Sequence, residues 1–516
     1  MDNRIFYNRI PQKMDFWFLL FLNIILAFSS GIPTTIAPYL IGDQSAVPAD
    51  VTMAGFAYFT GMACMFPIIL RLKQFTNTKL ILGCSFLALL FFNFLLSVSN
   101  APLTMIMASF AIGCVKMLAT LEIVLSLIPI LMPKGERYQL YCIYYPLSMV
   151  FGPVSGLLAA YLADTVNWHY SFHEQNFFIF IGLLIIVLFV HPEKRSKKIP
   201  LVQFDWLGNI FLVISLLLMC YVMSYGLMQD WFASVKIQAA TIGSIIALLT
   251  FLHSNMRNKR PIINFTTVAS WHVLCGVFVL CCLCMLFNTG SLTSPFLAIV
   301  FKNNPLESAK INTYGTVGYL FGSFLCFLYY RKFMNFTPMA ATACVLFLVS
   351  NLGMYYITTI NASPNDLFLP MFFRAMATII TYISVGIYIT SNIPLNYFND
   401  VTMFLIAVRT LLVPVVASAL YSNWHYHEQI KYTTRLANTM DALNPLVAVR
   451  NTQLVSSVKV QASLLALRDI YGALIIMSLV LLVIILFIPF HGSNKRIIFN
   501  WRDPLHGKEA AQAITV

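Results

Sequence analysis

The sequence predicts an all-α polytopic membrane protein. Of its 516 residues, 59% are apolar and only 10% charged, less than half the roughly 25% charge of soluble domains. Mean hydropathy is +0.79. Apolar runs recur at lengths near the roughly 20 residues that a bilayer-crossing helix needs. These figures exclude soluble, disordered, coiled-coil and nucleic-acid-binding proteins, so the net charge of +13 becomes a question of which membrane face the charges occupy.

The first run, at 16–40, follows Arg4, Arg9 and Lys13. It is too long for a signal core and has no small-residue cleavage site, so it is expected to be an uncleaved start-transfer helix. Further spans are expected near 51–70, 78–97, 103–131, 138–163 and 177–190, then at 204–226 and 236–254. Another six follow near 272–300, 311–330, 338–358, 367–391, 401–421 and 468–490. That makes fourteen helices with both termini cytoplasmic. In this threading the inner segments hold 21 Lys and Arg and the short outer loops hold three, as the positive-inside rule requires. A long outer loop, 422–467, is exempt from that count. All eleven cysteines lie within apolar runs, where they act as small packing residues rather than a disulfide or zinc framework.

The spacing divides the chain into an N-terminal six-helix bundle (1–200), an inserted helix pair with basic linkers (201–260) and a C-terminal six-helix bundle with the long outer loop (261–516). The first helix of each half is interrupted. Ser29-Ser30-Gly31-Ile32-Pro33-Thr34-Thr35 breaks the first, and Asn288-Thr289-Gly290-Ser291 with Pro295 breaks the ninth. Such breaks free backbone groups that lipid cannot satisfy, and in repeat-built transporters they line the site. Gly31, Pro33, Thr34, Asn288, Gly290 and Ser291 are therefore the substrate-cavity candidates; the plain alternative is a pair of kinks.

Ionisable residues within spans are costly and mark function. Glu122 is the carboxylate read as deep within a helix, and it shares that helix with Lys116. Arg374 and Arg409 lie in later spans. Six residues at about 100° each place Lys116 and Glu122 about 120° apart around the helix, so at least one must find its partner elsewhere. Glu122, Lys116 and Arg374 are the proton-coupling candidates. A static pair of Glu122 with Arg374 is the alternative, and Arg409 is expected in a structural ion pair.

Several motifs then converge. Gly152-Pro153-Val154-Ser155-Gly156 resembles the GPxxG antiporter motif of the major facilitator superfamily. Asp164 with Trp168-His169-Tyr170-Ser171-Phe172, then Asp205-Trp206-Leu207-Gly208, Asp230-Trp231-Phe232, the linker Arg260-Pro261-Ile262-Ile263-Asn264-Phe265, Arg409-Thr410, and His425, His427 and Asn444-Pro445 follow in order. The set is similar to that of 14-helix drug:proton antiporters of the QacA/EmrB type, along nearly the whole chain. The resemblance implies the major facilitator fold, alternating access and secondary active export across a bacterial inner membrane. The proton gradient would be the energy source and no cofactor would be needed; the chain has no GxxxxGK[ST] motif. It also implies a periplasmic adaptor and outer-membrane channel at the long outer loop, for which a solvated loop without a partner is the alternative. The departures are specific. The first helix lacks the family's acidic residue. Ser109-Phe110-Ala111-Ile112-Gly113 keeps only the glycine of the fourth-helix motif, and Arg71-Leu72-Lys73-Gln74-Phe75-Thr76-Asn77 lacks the Asp and glycines of motif A. Proton coupling must then use another group, and Glu122 is chosen.

Three buried cations against one carboxylate favour an anionic or neutral amphiphile as substrate over a lipophilic cation, with Phe and Tyr as cavity walls. Two rival classes are weighed. An uncoupled facilitator or a sensory protein would explain the eroded motifs. A metal-dependent membrane enzyme would use His169 with His173 and Glu174, or His425 with His427, but neither group has an evident third ligand, and no metal is expected.

Overall fold

The computed structural model describes residues 5–7, 11–29, 34–43, 46–99, 101–132, 136–192, 204–258, 261–302, 304–333, 335–391, 393, 395–438 and 452–487. These residues are helical apart from turns and one antiparallel bridge, Phe6 to Val190. Twelve helices among them are long and apolar enough to cross a membrane.

The chain begins with α1 (Gln12–Phe28), a 3-10 turn (Thr34–Ile36) and α2 (Ala37–Asp43). It continues through α3 (Pro48–Phe75), α4 (Thr78–Val98), α5 (Pro102–Leu131), α6 (Arg137–Thr165) and α7 (His169–Phe189). The pair α8 (Trp206–Tyr225) and α9 (Val235–Arg257) follows, then the short α10 (Phe265–Val268). After these come α11 (Trp271–Phe287), α12 (Gly290–Val300), α13 (Pro305–Tyr330), α14 (Phe336–Ile357) and α15 (Phe368–Ser391). The last are α16 (Leu395–Ala407), a π-turn (Val408–Leu412), α17 (Val413–Asn438) and α18 (Thr452–Phe487).

Helices thus occupy every place that the apolar runs predict. One expectation is corrected. The stretch 422–467 is not a long loop: α17 runs on to Asn438 and α18 starts at Thr452, and only 439–451 lies outside the described residues. The stretch looks like loop because its outer face is polar, yet it pairs helix to helix. His425 Nε2 meets Ser463 Oγ at 3.0 Å, the Tyr432 hydroxyl donates to Asp469, and Glu428 meets Lys431 at 2.7 Å one turn on.

Short connections make successive helices antiparallel, which gathers Lys13, Lys73, Lys79, Arg137, Arg257, Arg331 and Lys332 at one end, the basic end. Helix packing repeats along the chain. As α3 packs on α5, so α13 packs on α15; α4 packs on α7 and α14 on α18. The two strongest pairs both close on glycine. A Cβ on Gly113 of α5 would run into the Tyr58 carbonyl of α3, and one on Gly61 into the Phe110 carbonyl. Gly318 and Gly322 of α13 face the backbone of Phe372 and Met376 in the same way. Small residues permit this approach because in lipid the attraction between helices comes from packing. That is the physical reason for the glycine kept from the fourth-helix motif.

The inserted pair docks on α3. The Tyr225 hydroxyl donates to Asp50, and Thr60 meets Cys220 at 3.5 Å. Asp205 caps α8 by accepting from the Gly208 amide at 2.9 Å, and it also accepts from Ser254 of α9 at 2.9 Å. Asn255 holds the linker into α10 through the amide of Ile262, at 2.8 Å, and the carbonyl of Ile263.

A bulky residue at a backbone contact must separate the helices. Gly113→Val is expected to cost about 3 kcal/mol or more, read as loss of the monodisperse detergent-solubilised fraction and a lower Tm. Gly152→Ala, whose Cβ would meet nothing within 4 Å, should keep both within error.

Candidate functional site: a cleft between two broken helices

Where α1 ends, the carbonyls of Phe28 and Ser29 lose their helical partners. Lipid offers none, so the protein supplies them. Ser155, in the Gly152–Gly156 motif of α6, donates its hydroxyl to the Phe28 carbonyl at 2.9 Å. Lys116 of α5 reaches the Ser29 carbonyl at 2.6 Å and lies over the Tyr58 ring at 5.5 Å. Thr35, just past the break, donates to the Gly156 carbonyl at 3.0 Å. The antiporter-like motif is thus what holds the broken first helix. Gly31 and Pro33 lie outside the described residues, and of Thr34 only the backbone turn is described.

The second break falls between α11 and α12. Asn288 turns its amide back to the Cys284 carbonyl at 2.7 Å, and Thr293 serves the carbonyls of Thr289 and Gly290, both at 3.2 Å. Tyr421 of α17 donates to the Met285 carbonyl at 2.8 Å. Arg374 of α15 donates to Thr289 Oγ1 at 2.8 Å. Gly290 has open space where a Cβ would stand.

Between the breaks lies a cavity of about 350 Å³, lined by Thr35, Gly55, Tyr58, Phe59, Gly152, Pro153, Gly156, Phe287, Asn312, Gly315, Tyr319, Met371, Arg374 and Ala375. Gly55 to Phe59 sit roughly two to three turns from the α3 end that carries Pro48, so the cavity occupies the half away from the basic end. Its volume falls in the range of small-molecule sites, about 300–1,000 Å³. Arg374 is the one charged side chain among the described lining residues.

Toward the basic end the same cleft is shut. Tyr141 and Tyr145 of α6 stack with ring centroids 5.3 Å apart. The Arg409 guanidinium lies 4.6 Å from the Tyr145 ring centre and 4.9 Å from that of Tyr382 on α15. About 10 Å³ is left among these side chains, at the limit of a single water. Ser323 of α13 adds a 2.5 Å hydrogen bond to the Cys142 carbonyl. Arg409 is expected in an ion pair; among the described residues the structure places it against Tyr145 and Tyr382, within the π-turn Val408–Leu412.

Glu122 does not meet Arg374. Its side chain is fully buried near the basic end, where it accepts from Thr78 Oγ1 at 2.6 Å and lies 3.3 Å from Lys73 Nζ. The other oxygen, Oε2, has no hydrogen-bond partner among the described residues. Lys116 and Glu122 both find partners on other helices, where their angular separation required this of at least one. Of the cavity candidates, Asn288, Gly290 and Ser291 are not among the lining residues, though Asn288 and Gly290 adjoin Phe287 and Thr289 in the chain; the lining instead takes Gly152, Pro153 and Gly156 from the antiporter-like motif and Arg374 from the proton-coupling candidates. Ser291 is close by, its hydroxyl buried without a partner among the described residues. The histidines lie elsewhere: His169 packs on Trp168 with centroids 3.8 Å apart, and His173 meets Tyr170 at 5.9 Å. The aromatic segment after α6 instead ties down the outer end of the first helix, through Trp168 Nε1 to Asp43 at 2.9 Å and Tyr39 to Asp164 at 3.1 Å. Sequence reasoning missed Thr289 as a ligand of Arg374 and the tyrosines of the seal. The spacing Tyr141, Tyr144, Tyr145 on one helix was the available signal.

Fold and site together define a polytopic helical membrane protein with a cavity between two broken helices and packed side chains toward its basic end. No protein-family model matches the chain. It is 21% identical over 309 residues to the probable multidrug resistance protein EmrY of Escherichia coli, covering 58% of this chain and 59% of that protein. It is 21% identical over 328 residues to the multidrug export protein EmrB of Haemophilus influenzae, covering 60% and 61%, and 27% identical over 133 residues to multidrug resistance protein 3 of Bacillus subtilis, covering 26% and 25%. The matched segments thus span less than two thirds of each relative. Among solved structures, the tetrameric peptide transporter PepTSo2 superposes with a TM-score of 0.59 at 12% identity, covering 92% of this chain and 98% of that one. A POT-family transporter in complex with a thioalcohol-conjugated peptide gives 0.59 at 13%, with the same coverage. These relatives and neighbours are transport and resistance proteins rather than enzymes. The chain is thus similar to multidrug resistance and export proteins such as EmrY and EmrB, in line with the resemblance that its motifs carry.

If the Arg409 sandwich is the seal, weakening it opens the basic end. One lost ring contact is worth about 1–2 kcal/mol, close to tenfold in population. In a protein whose only cysteine is Cys142, buried beside the seal, Arg409→Gln and Tyr145→Ala should be alkylated from the basic side about ten times faster than the Cys142-only parent. Tyr145→Phe, which keeps the ring, should not.

Proposed function

We propose that the protein is a secondary active exporter of anionic or neutral amphiphilic small molecules, driven by a proton gradient and working by alternating access. The observation that carries this reading is the cleft itself. Both broken helices and the antiporter-like motif meet at one cavity, which is accessible on one side and sealed by cross-contacts on the other. Two six-helix units, 1–200 and 261–516, rock about that cavity, with the 201–260 pair riding on α3, and fourteen spans place both termini on the basic side. By the positive-inside rule that side is the cytoplasm, so the cavity opens outward across a bacterial inner membrane. We place an adaptor contact, and through it an outer-membrane channel, on the projecting ends of α17 and α18.

Glu122 is the proton-binding group in this proposal. A buried carboxylate oxygen without a partner is costly while ionised and gains a donor role on protonation, and its place near the basic end suits exchange with the cytoplasm. The pairing with Lys73 favours a second reading, an uncoupled facilitator in which Glu122 and Lys73 are a fixed strut.

Proteoliposomes with an imposed pH gradient separate the two. The exporter reading expects gradient-driven accumulation in the wild type, a fall of at least about tenfold in Glu122→Gln, and unchanged substrate counterflow without a gradient. Equal counterflow with no response to the gradient in either protein would establish the facilitator and end the antiport proposal.

A further inference from the structure

The two halves carry the same device. In the first, a cation from α5, Lys116, is bound to the broken end of α1. In the second, a cation from α15, Arg374, is bound at the break between α11 and α12. The supporting helices correspond as well, since α5 closes on α3 and α15 on α13 through glycine. Tyr58 of α3 and Tyr319 of α13 stand in matching places on the cavity wall.

The two cations differ in what compensates them. Lys116 is 8% exposed and stands behind Tyr58. Its ammonium sits on a free carbonyl at the C-terminal end of α1, where the helix dipole is negative. Arg374 is bound to a neutral hydroxyl and borders the cavity, where no carboxylate joins it among the described lining residues. A guanidinium has five N–H donors arranged as a fork that matches a carboxylate, and Thr289 uses one. Asn312 adds an amide and Tyr319 a hydroxyl on the same wall, while Phe59, Phe287 and Met371 are apolar.

We propose that Arg374 is the anchor for the carboxylate of a monoanionic amphiphile, with the apolar body held against Phe59, Phe287 and Met371. Lys116 is a positioning residue: it fixes the end of α1, and through Tyr58 the opposite wall, without touching the anion. The assignment rests on the transport reading above and adds to it the head-group chemistry and the residue that selects it.

The test is counterflow in proteoliposomes with matched probes of nearly equal shape: 1-naphthylacetate, its neutral amide 1-naphthylacetamide, and a naphthylmethyl trimethylammonium cation. Wild type should move the carboxylate in preference to the amide and leave the cation behind. Arg374→Gln should raise the carboxylate KM at least about tenfold, the effect of losing one charge-assisted hydrogen bond, with the amide unchanged. Arg374→Lys should recover part of the preference, and Lys116→Gln should slow both neutral and anionic probes equally, leaving their ratio intact. Amide transport and an unchanged Tm in Arg374→Gln show that this variant is folded; if both are lost, the Arg374→Lys ratio decides. The proposal is overturned if Arg374→Gln keeps the wild-type ratio, if Arg374→Lys loses both probes alike, or if the wild type prefers the amide or the cation. A wild type that moves none of the three overturns the transport reading instead.

Discussion

The arrangement depends on one constraint: a helix broken inside a bilayer must have its freed backbone groups satisfied by protein, because lipid satisfies none. At the end of α1 the Phe28 and Ser29 carbonyls need donors, and Ser155 and Lys116 supply them. At the second break the donors are Asn288, Thr293 and Tyr421. Lys116, Ser155 and Tyr421 come from other helices, so the breaks bear on where α5, α6 and α17 stand. They also bring Gly152, Pro153 and Gly156 to the wall of the cavity. The motif, the cation on α5 and the position of the cavity are therefore one fact seen from three sides.

Glycine makes the approach feasible. The α3–α5 and α13–α15 pairs are close because Gly61, Gly113, Gly318 and Gly322 present no Cβ to the facing backbone. Contacts of this kind are rigid, since they have no flexible side chain to give way. The cross-contacts near the basic end are of another sort. They consist of the Arg409 guanidinium on the Tyr145 ring and single hydrogen bonds such as Ser323 to Cys142, which can part without disturbing a helix. Rigid pairs and separable contacts of these two kinds are what the proposed rocking motion requires.

Much of this was legible in the sequence, for physical reasons that can be named. Span positions follow from hydropathy, which depends on local composition alone. The breaks at Ser29 and Asn288–Gly290 were visible because Gly, Pro and small polar residues rarely cluster within a span without purpose. The partners were not legible. Glu122 looks isolated along the chain, yet it meets Lys73 and Thr78, which come from other helices and a register that no single sequence discloses. Arg409 could be recognised as a buried cation, but its setting between tyrosines depends on a π-turn that shifts its direction. The 422–467 stretch reads as loop in the sequence because its charged and polar residues end the apolar run that marks a span.

The energetics of the seal limit what can open it. A ligand shifts a two-state equilibrium only by the difference in its affinity for the two states. The ring contact that crosses from the later helices to α6, Arg409 on Tyr145, is worth about 1–2 kcal/mol, the same order as the coupling free energies typical of allosteric proteins, about 1–3 kcal/mol. A seal much stronger than this would hold the cleft shut whatever occupied it, and a much weaker one would leak. The cavity and the seal share a helix: Arg374 and Tyr382 lie on α15, two turns apart. A ligand that draws Arg374 toward the centre of the cleft acts on the helix that carries one face of the Arg409 sandwich. In the proposed mechanism this shared helix is the element that links occupancy on one side to closure on the other, without a relay of intervening side chains.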